Sequence, residues 1–288
     1  MCELDDLEEF SKAGALTRRQ FNAMAMGAGL SLAMPGGAFA AEVTTSDVEI
    51  KTADGICDAY FAHPKSGKHP AVLTWPDIFG LRPASKQMAA RLAGSGYAVL
   101  VINPFYRVKK APTAPEHPDF NDPPTREALF KLAGTLSPAT AATDAKAFLA
   151  WLDAQPAVDV KKKMGTTGYC MGGSFVFRTA AAYPDRVGAG ATFHGGGLVT
   201  DKPDSPHLLI PSMKAQFLVA VAENDDAKDP EAKNVLKAAF ASAKLPAEIE
   251  VYAGAQHGWC PPDSAVYNPA QAEKAWSRQL ALFAEALV

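Results

Sequence analysis

A cysteine framed by glycines is the most reactive feature of this sequence: Gly168-Tyr169-Cys170-Met171-Gly172-Gly173. The segment follows a β-rich stretch and opens a helical one, which is the context of a nucleophile elbow, G-x-S-x-G, with cysteine in the serine position. Such a sharp strand-to-helix turn needs glycines two residues to either side, where side chains would clash. The N-terminus of the helix beneath would favour negative charge on the sulfur. We predict that Cys170 is a nucleophile; the alternative is a buried structural cysteine beside a glycine-rich turn.

A cysteine nucleophile requires a base, and the base requires an acid that orients it. His257 lies in the loop Ala255-Gln256-His257-Gly258-Trp259, after a predicted strand and before the last predicted helix. The acid should come at the end of the preceding strand, where Asp225 and Asp226 are adjacent. Neighbouring side chains point in different directions, so only one of them can reach His257. We prefer Asp225, and Asp226 remains open.

The elements that must position these residues alternate between strand-like and helix-like patterns. An opening hairpin is predicted from Val48–Lys51 and Ile56–Ala62. Further strands are predicted at Ala71–Trp75, Tyr97–Ile102, Met164–Tyr169, Val187–Phe193, Gln216–Ala222 and Ile249–Tyr252, and helices at Pro83–Ala93, Ala139–Leu152, Met171–Tyr183, Glu231–Ala243 and Ala270–Leu287. This alternation predicts an α/β fold in which a mostly parallel central sheet carries helices on both faces.

The stretch Val108–Pro138 departs from the alternation. It is long, rich in proline and only weakly periodic. Long connections of this kind are often functional. We predict a lid-like excursion over the carboxyl edge of the sheet.

Residues 1–40 resemble an export signal. Thr17-Arg18-Arg19-Gln20-Phe21 is a twin-arginine pattern, followed by a weakly apolar run, Ala23 to Met34, and by Ala38-Phe39-Ala40, an A-x-A cleavage site. The alternative is an amphipathic helix with two chance arginines. The run is too short to span a bilayer stably. We therefore expect the twin-arginine (Tat) export machinery as a partner and a periplasmic protein that begins near Ala41, with 41–288 as a single domain.

Charge and cysteine content indicate which partners and cofactors to expect. The formal net charge is -3, and the one basic triplet, Lys161–Lys163, is typical of a solvated loop, so no nucleic-acid partner is expected. If Cys2 leaves with the signal, three cysteines remain and at least one thiol stays free. No Cys/His cluster has the spacing of a structural zinc site, so neither a metal nor another cofactor is predicted.

Together these residues resemble the dienelactone hydrolases (carboxymethylenebutenolidases), an α/β-hydrolase-fold family with a Cys-His-Asp triad. The resemblance covers about Asp47 to the C-terminus. It depends on the elbow around Cys170, on the pair His257-Gly258, on the spacing of the triad residues and on Pro76-Asp77-Ile78-Phe79-Gly80. It implies an α/β-hydrolase fold and hydrolysis of a small ester or lactone through a cysteine acyl-enzyme.

The resemblance also implies roles around the nucleophile. Asp77 stands where the founding enzymes have a glutamate that interacts with the resting cysteine; the alternative is a loop-capping aspartate. The backbone N–H groups of Ile78 and Met171 would form the oxyanion hole, in which preorganised donors stabilise the developing charge.

The implied substrate contacts are fewer. Arg107 matches approximately an arginine that binds the substrate carboxylate in this family. A second arginine is expected after the catalytic histidine, but Trp259-Cys260-Pro261-Pro262-Asp263 stands there, which puts the dienelactone substrate itself in doubt. His194, at the end of a predicted strand, either lines the pocket or is a hydrogen-bonded loop histidine. Tyr169, beside the nucleophile, is a further candidate contact.

Two other functions remain open from the sequence. One is a thiol peptidase or acyltransferase on the same scaffold, which activity on peptides rather than esters would reveal. The other is a non-catalytic binding protein that retains the fold, which inertness toward activated esters would support.

Overall fold

A computed structural model describes residues 42–115 and 120–288, so the predicted export signal lies outside the described residues. These residues belong to one compact unit and contain a single sheet of eight strands. The strands are β1 (Val43–Thr52), β2 (Gly55–Pro64), β3 (Ala71–Trp75), β4 (Ala98–Ile102), β5 (Met164–Tyr169), β6 (Val187–Phe193), β7 (Gln216–Ala222) and β8 (Ala247–Tyr252).

The strand order is β1-β2-β4-β3-β5-β6-β7-β8. The β1–β2 hairpin joins the sheet antiparallel to β4, and every later pairing is parallel. Strands β3, β4 and β5 are buried along their whole length, as strands covered on both faces must be. The predicted mostly parallel sheet is confirmed.

Helices cover both faces of this sheet. The described residues contain α1 (Pro83–Gly94), α2 (Pro123–Ala133), α3 (Pro138–Asp153), α4 (Gly172–Ala182), α5 (Glu223–Lys228), α6 (Ala232–Ala243) and α7 (Pro269–Ala286), with a 3₁₀ helix at Pro206–Ser212. The apolar sides of α1 and α7 pack on one face, and those of α3, α4 and α6 on the other. None of the helices in the described part of the chain is long and apolar enough to cross a membrane.

The stretch predicted as an excursion is more regular than expected. It contains α2, which begins at Asp122, where the side chain accepts a hydrogen bond from the backbone N–H of Thr125. Phe120 packs edge-on against Phe79, with ring centroids 6.4 Å apart. The stretch therefore touches the loop after β3, which carries the predicted oxyanion donor.

The carboxyl ends of four neighbouring strands bring the candidate residues together. Cys170 directly follows β5, and His194 directly follows β6. Asp225 comes three residues after the end of β7, and His257 five residues after the end of β8. Parallel strands end at the same edge of a sheet, which is where α/β folds place their ligand sites.

Candidate active site

The nucleophile elbow holds Cys170 in a left-handed conformation, with φ 52°. This conformation costs a residue other than glycine roughly 1–3 kcal/mol and persists where the surroundings enforce it. The Cys170 N–H donates to the carbonyl of Phe193 (3.0 Å), and its carbonyl accepts from the N–H groups of Gly173 and Gly196. The backbone of the turn is thus fixed from both sides, and the thiol stands at the carboxyl edge of the sheet.

Glycines make this turn sterically possible. A Cβ on Gly168 would lie 2.4 Å from the carbonyl oxygen of Gly172, and one on Gly172 would lie 2.2 Å from that of Trp75. A Cβ on Gly173 would lie 2.3 Å from the Thr192 hydroxyl. The start of α4 therefore packs directly against the end of β3 and against Pro76, the first residue of the loop that carries Ile78.

His257 connects the thiol to an acid. Its Nε2 lies 3.1 Å from the Cys170 sulfur, and its Nδ1 lies 2.6 Å from a carboxylate oxygen of Asp225. An ionised carboxylate only accepts, so Nδ1 donates to Asp225. The loop is also held by Asn224, whose side-chain oxygen accepts from the backbone N–H of His257 (2.8 Å). The neighbouring Asp226 pairs instead with Lys233 (2.5 Å).

The environment of His257 favours its protonated form. Burial lowers the pKa of the imidazole, but its hydrogen bonds to Asp225 and to Cys170 outweigh burial and raise the pKa to about 10. At neutral pH the imidazole therefore holds a proton 3.1 Å from the Cys170 sulfur, where it can act as a general acid.

The two predicted oxyanion donors have backbone N–H groups without a protein acceptor. Ile78 is buried in the loop after β3, and Met171 is the N-cap residue of α4. Within the described residues, neither backbone N–H donates to a protein acceptor. Both amides therefore keep the donor that the predicted role requires.

Asp77 is engaged elsewhere than expected. Its carboxylate accepts two hydrogen bonds from Arg82, at 2.6 and 2.9 Å, and a third from the backbone N–H of Phe79. Arg82 also donates twice to Asp263, 181 residues further along the chain. The structure thus differs from the predicted pairing of Asp77 with the resting thiol. Instead the buried Arg82 joins the loop after β3 to the loop after His257.

Arg107 is also held by protein carboxylates. Two of its nitrogens donate to Asp144, at 2.7 and 2.8 Å, and its Nε donates to Asp54 at 2.9 Å. Its guanidinium also stacks on the ring of Tyr106, 4.7 Å from the centroid. The expectation that Arg107 is available to a substrate carboxylate is therefore corrected, because aspartates already occupy it.

Two predicted substrate contacts remain, Tyr169 and His194. Tyr169 stacks on Phe193, with ring centroids 5.0 Å apart, inside the apolar layer under α1 and α7, and its role as a substrate contact stays a prediction. His194 is 1% exposed, its ring centroid is 4.9 Å from that of His257, and neither of its ring nitrogens has a hydrogen-bond partner. Burial is the main reason why its pKa lies well below the ordinary value, so the ring is neutral.

The other two described cysteines are structural. Cys57 and Cys260 are free and buried, in the core layers on opposite faces of the sheet. Burial raises the pKa of both thiols, which makes them poor nucleophiles.

Sequence reasoning missed Asn224, Arg82 and Asp263. Their contacts join segments that are distant along the chain, so the spacing of residues in the sequence gave little indication of them. For Asn224, the available signal was its place between the end of a predicted strand and the preferred triad acid.

This chain is similar to known proteins along most of its described length. The profile of the dienelactone hydrolase family matches residues 57–287. A carboxymethylenebutenolidase of Rhodococcus opacus is 29% identical over 225 residues, 77% of this chain and 83% of that protein. A Salmonella typhi protein provisionally named carboxymethylenebutenolidase is 28% identical over 257 residues, 87% of this chain and 89% of its own.

Solved structures give the same result. A crystal structure from Klebsiella pneumoniae subsp. pneumoniae MGH 78578, provisionally named a dienelactone hydrolase, is 25% identical with a TM-score of 0.73. It covers 85% of this chain, and 99% of that protein is matched. The central sheet and the helices on its faces are therefore those of an α/β-hydrolase fold.

Proposed function

Because this chain belongs to the dienelactone hydrolase family, we propose that it hydrolyses a small ester or lactone through an acyl-enzyme on Cys170. One observation carries the proposal: His257 bridges the Cys170 sulfur (3.1 Å) and the Asp225 carboxylate (2.6 Å). This is the nucleophile–base–acid arrangement of acyl transfer, in the chain order of the α/β-hydrolase fold.

Acylation begins when the Cys170 thiolate attacks the carbonyl carbon of the substrate. The carbonyl π electrons move to oxygen, and the backbone N–H groups of Ile78 and Met171 stabilise that oxyanion. When the tetrahedral adduct collapses, the carbon–oxygen bond of the ester breaks. The leaving alkoxide takes the proton from His257, whose orientation Asp225 maintains. A thioester on Cys170 and an alcohol result; with a lactone, the alcohol stays on the acyl chain.

Deacylation uses the same groups in the reverse sense. His257, now neutral, removes a proton from water, and the resulting hydroxide attacks the thioester carbonyl. The second oxyanion occupies the same two N–H groups. Its collapse expels the Cys170 thiolate and releases a carboxylic acid, which restores the thiolate–imidazolium pair.

The charges around the site support a substrate without a carboxylate. Two arginines considered for the site already have carboxylate partners: Arg82 contacts Asp77 and Asp263, and Arg107 contacts Asp54 and Asp144. A substrate carboxylate bound by either of them would have to compete with these aspartates. We therefore favour neutral esters and lactones over carboxylate-bearing dienelactones.

The protein is proposed to act in the periplasm after export by the Tat machinery. The support is the sequence order of twin arginines, apolar run and A-x-A site in residues 1–40. N-terminal sequencing of protein from fractionated cells tests it: a chain that starts near Ala41 in the periplasmic fraction is expected, and an intact Met1 in the cytoplasm would contradict it.

A panel of small esters and lactones tests the hydrolase. Each neutral compound is paired with a carboxylate-bearing analogue, and each is assayed with wild-type protein and with Cys170→Ala. We expect hydrolysis that is lost in Cys170→Ala, with kcat/KM higher for the neutral member of each pair. Activity on peptides but not on esters would point to a thiol peptidase. Complete inertness would point to a binding protein and refute the proposal.

A further inference from the structure

A second histidine adjoins the catalytic pair without a visible role in acyl transfer. A ring nitrogen of His194, a ring nitrogen of His257 and the Cys170 sulfur all lie within 4.8 Å of one another. In the described part of the chain, this is the group of His, Cys, Asp and Glu donors close enough to hold a metal ion. Two imidazoles and one thiolate are ligands that Zn²⁺ favours, in sites that leave a fourth position open.

The state of the His194 ring is unusual for a buried polar group. The residue is 1% exposed, and neither ring nitrogen has a hydrogen-bond partner. Buried polar atoms are hydrogen-bonded in the great majority of cases, and an exception needs an explanation. Its neighbours include the rings of His257 and Trp259, at 4.9 and 5.1 Å between centroids. A metal ion at the thiol would give one of these nitrogens its partner, and it would replace the hydrogen bond between Nε2 of His257 and the Cys170 sulfur.

The outer hydrogen bond that such a site needs is already present on His257. Zinc-bound histidines usually donate their other ring N–H to a carboxylate, which fixes the ring and strengthens the ligand. Asp225 holds Nδ1 of His257 in this way, so Nε2 faces the sulfur. Zn–S and Zn–N bonds of about 2.3 and 2.0–2.1 Å require the three donors to adjust by roughly 1 Å.

We infer that Cys170, His194 and His257 form a three-ligand Zn²⁺ site that reversibly blocks the nucleophile. Bound zinc occupies the sulfur lone pair and Nε2 of His257, the two atoms that acyl transfer requires. Coordination needs a thiolate and a neutral imidazole, so binding releases to solvent the proton that the pair shares. Water fills the fourth position. The inference does not depend on which ester the protein hydrolyses.

Metal binding can be measured without any substrate. Metal-free protein is titrated with Co²⁺ under anaerobic conditions, and the sulfur-to-cobalt charge-transfer absorption is followed; competition by Zn²⁺ then gives the zinc affinity. We expect one Co²⁺ per chain and loss of the charge-transfer band in Cys170→Ala. We also expect Zn²⁺ affinity to fall at least tenfold in His194→Phe and in His194→Gln. His207→Gln, whose imidazole pairs with Ser205 away from the site, is the matched control and should bind like wild type.

A second measurement covers the case in which the buried His194 variants do not fold. X-ray absorption on wild-type protein loaded with one equivalent of Zn²⁺ counts the ligands directly. One sulfur and two imidazoles support the inference, whereas one sulfur with a single imidazole overturns it. Folded His194 variants that bind Zn²⁺ as tightly as wild type would overturn it as well. Because neither readout uses turnover, failure of the zinc site and failure of the hydrolase remain distinguishable.

Discussion

The imidazole of His257 donates from Nδ1 to Asp225, 2.6 Å away, while the adjacent carboxylate of Asp226 pairs with Lys233. Two neighbouring aspartates in the short helix α5 thus serve different partners. The sequence left both open, and the direction of their side chains distinguishes them. The acid can therefore be tested with a matched pair of substitutions.

Asp225→Asn should lower kcat for ester hydrolysis by up to roughly 10⁴-fold, because an amide favours the wrong imidazole tautomer. Asp226→Asn should retain kcat within about threefold, because it weakens only a partly buried ion pair with Lys233 that does not involve His257. Steady-state kinetics on one ester decide between them. The reverse ranking would assign the acid to Asp226.

The buried Arg82 should contribute far more to stability than a surface arginine. Arg82→Met leaves Asp77 and Asp263 without their cation, and breaking a buried pair costs about 3–5 kcal/mol. Arg278→Met removes an exposed ion pair with Glu248 and should change the free energy of unfolding by about 0–1 kcal/mol. Denaturant unfolding measures both. Equal effects would show that the Arg82 cluster does not hold the two loops together.

Gly172, at the start of α4, should be required for stability and activity, whereas Gly196, in the loop after β6, should not. A methyl group on Gly172 would meet the Trp75 carbonyl, so Gly172→Ala should destabilise the protein by about 1–3 kcal/mol and lower kcat. Gly196→Ala is the control, because a Cβ there has nothing within 4 Å. Unfolding and turnover of the two variants are compared. A fully active Gly172→Ala would contradict the close packing of α4 against the end of β3.

Some of the contacts at the candidate site could be predicted from the sequence, and others could not. The proximity of Cys170, Asp225 and His257 could be predicted because a parallel sheet brings the carboxyl ends of β5, β7 and β8 to one edge. The partners of Asp77 and Arg107 could not, because they depend on loops that meet only in the folded chain. Helix α5 buries no side chain and α2 only Leu129, so neither had an apolar periodicity to detect. The predicted contact of Asp77 with the thiol depended on the family resemblance alone. In the structure the Asp77 carboxylate accepts hydrogen bonds from Arg82 instead.

The pKa of His257 predicts an unusual titration of its imidazole. A pKa raised to about 10 contributes stability that is fully present below the ordinary value near 6.5 and lost as pH rises through 10. We expect the ring signals of His257 in NMR spectra to stay unchanged between about pH 6 and 8 and to titrate near pH 10. Asp225→Asn should lower this pKa, because the substitution removes a hydrogen bond that favours the protonated ring. A wild-type imidazole that titrates near 6.5 would contradict the account.

The acyl-enzyme itself is the central claim, and intact-mass spectrometry tests it most directly. Wild-type protein is mixed with excess of an activated neutral ester, quenched in acid within the first turnover, and mapped by peptide analysis. We predict a mass increase of one acyl group, located on Cys170, that decays on dilution and is absent in Cys170→Ala. Rapid ester hydrolysis that never acylates Cys170, or that survives Cys170→Ala, would contradict the account.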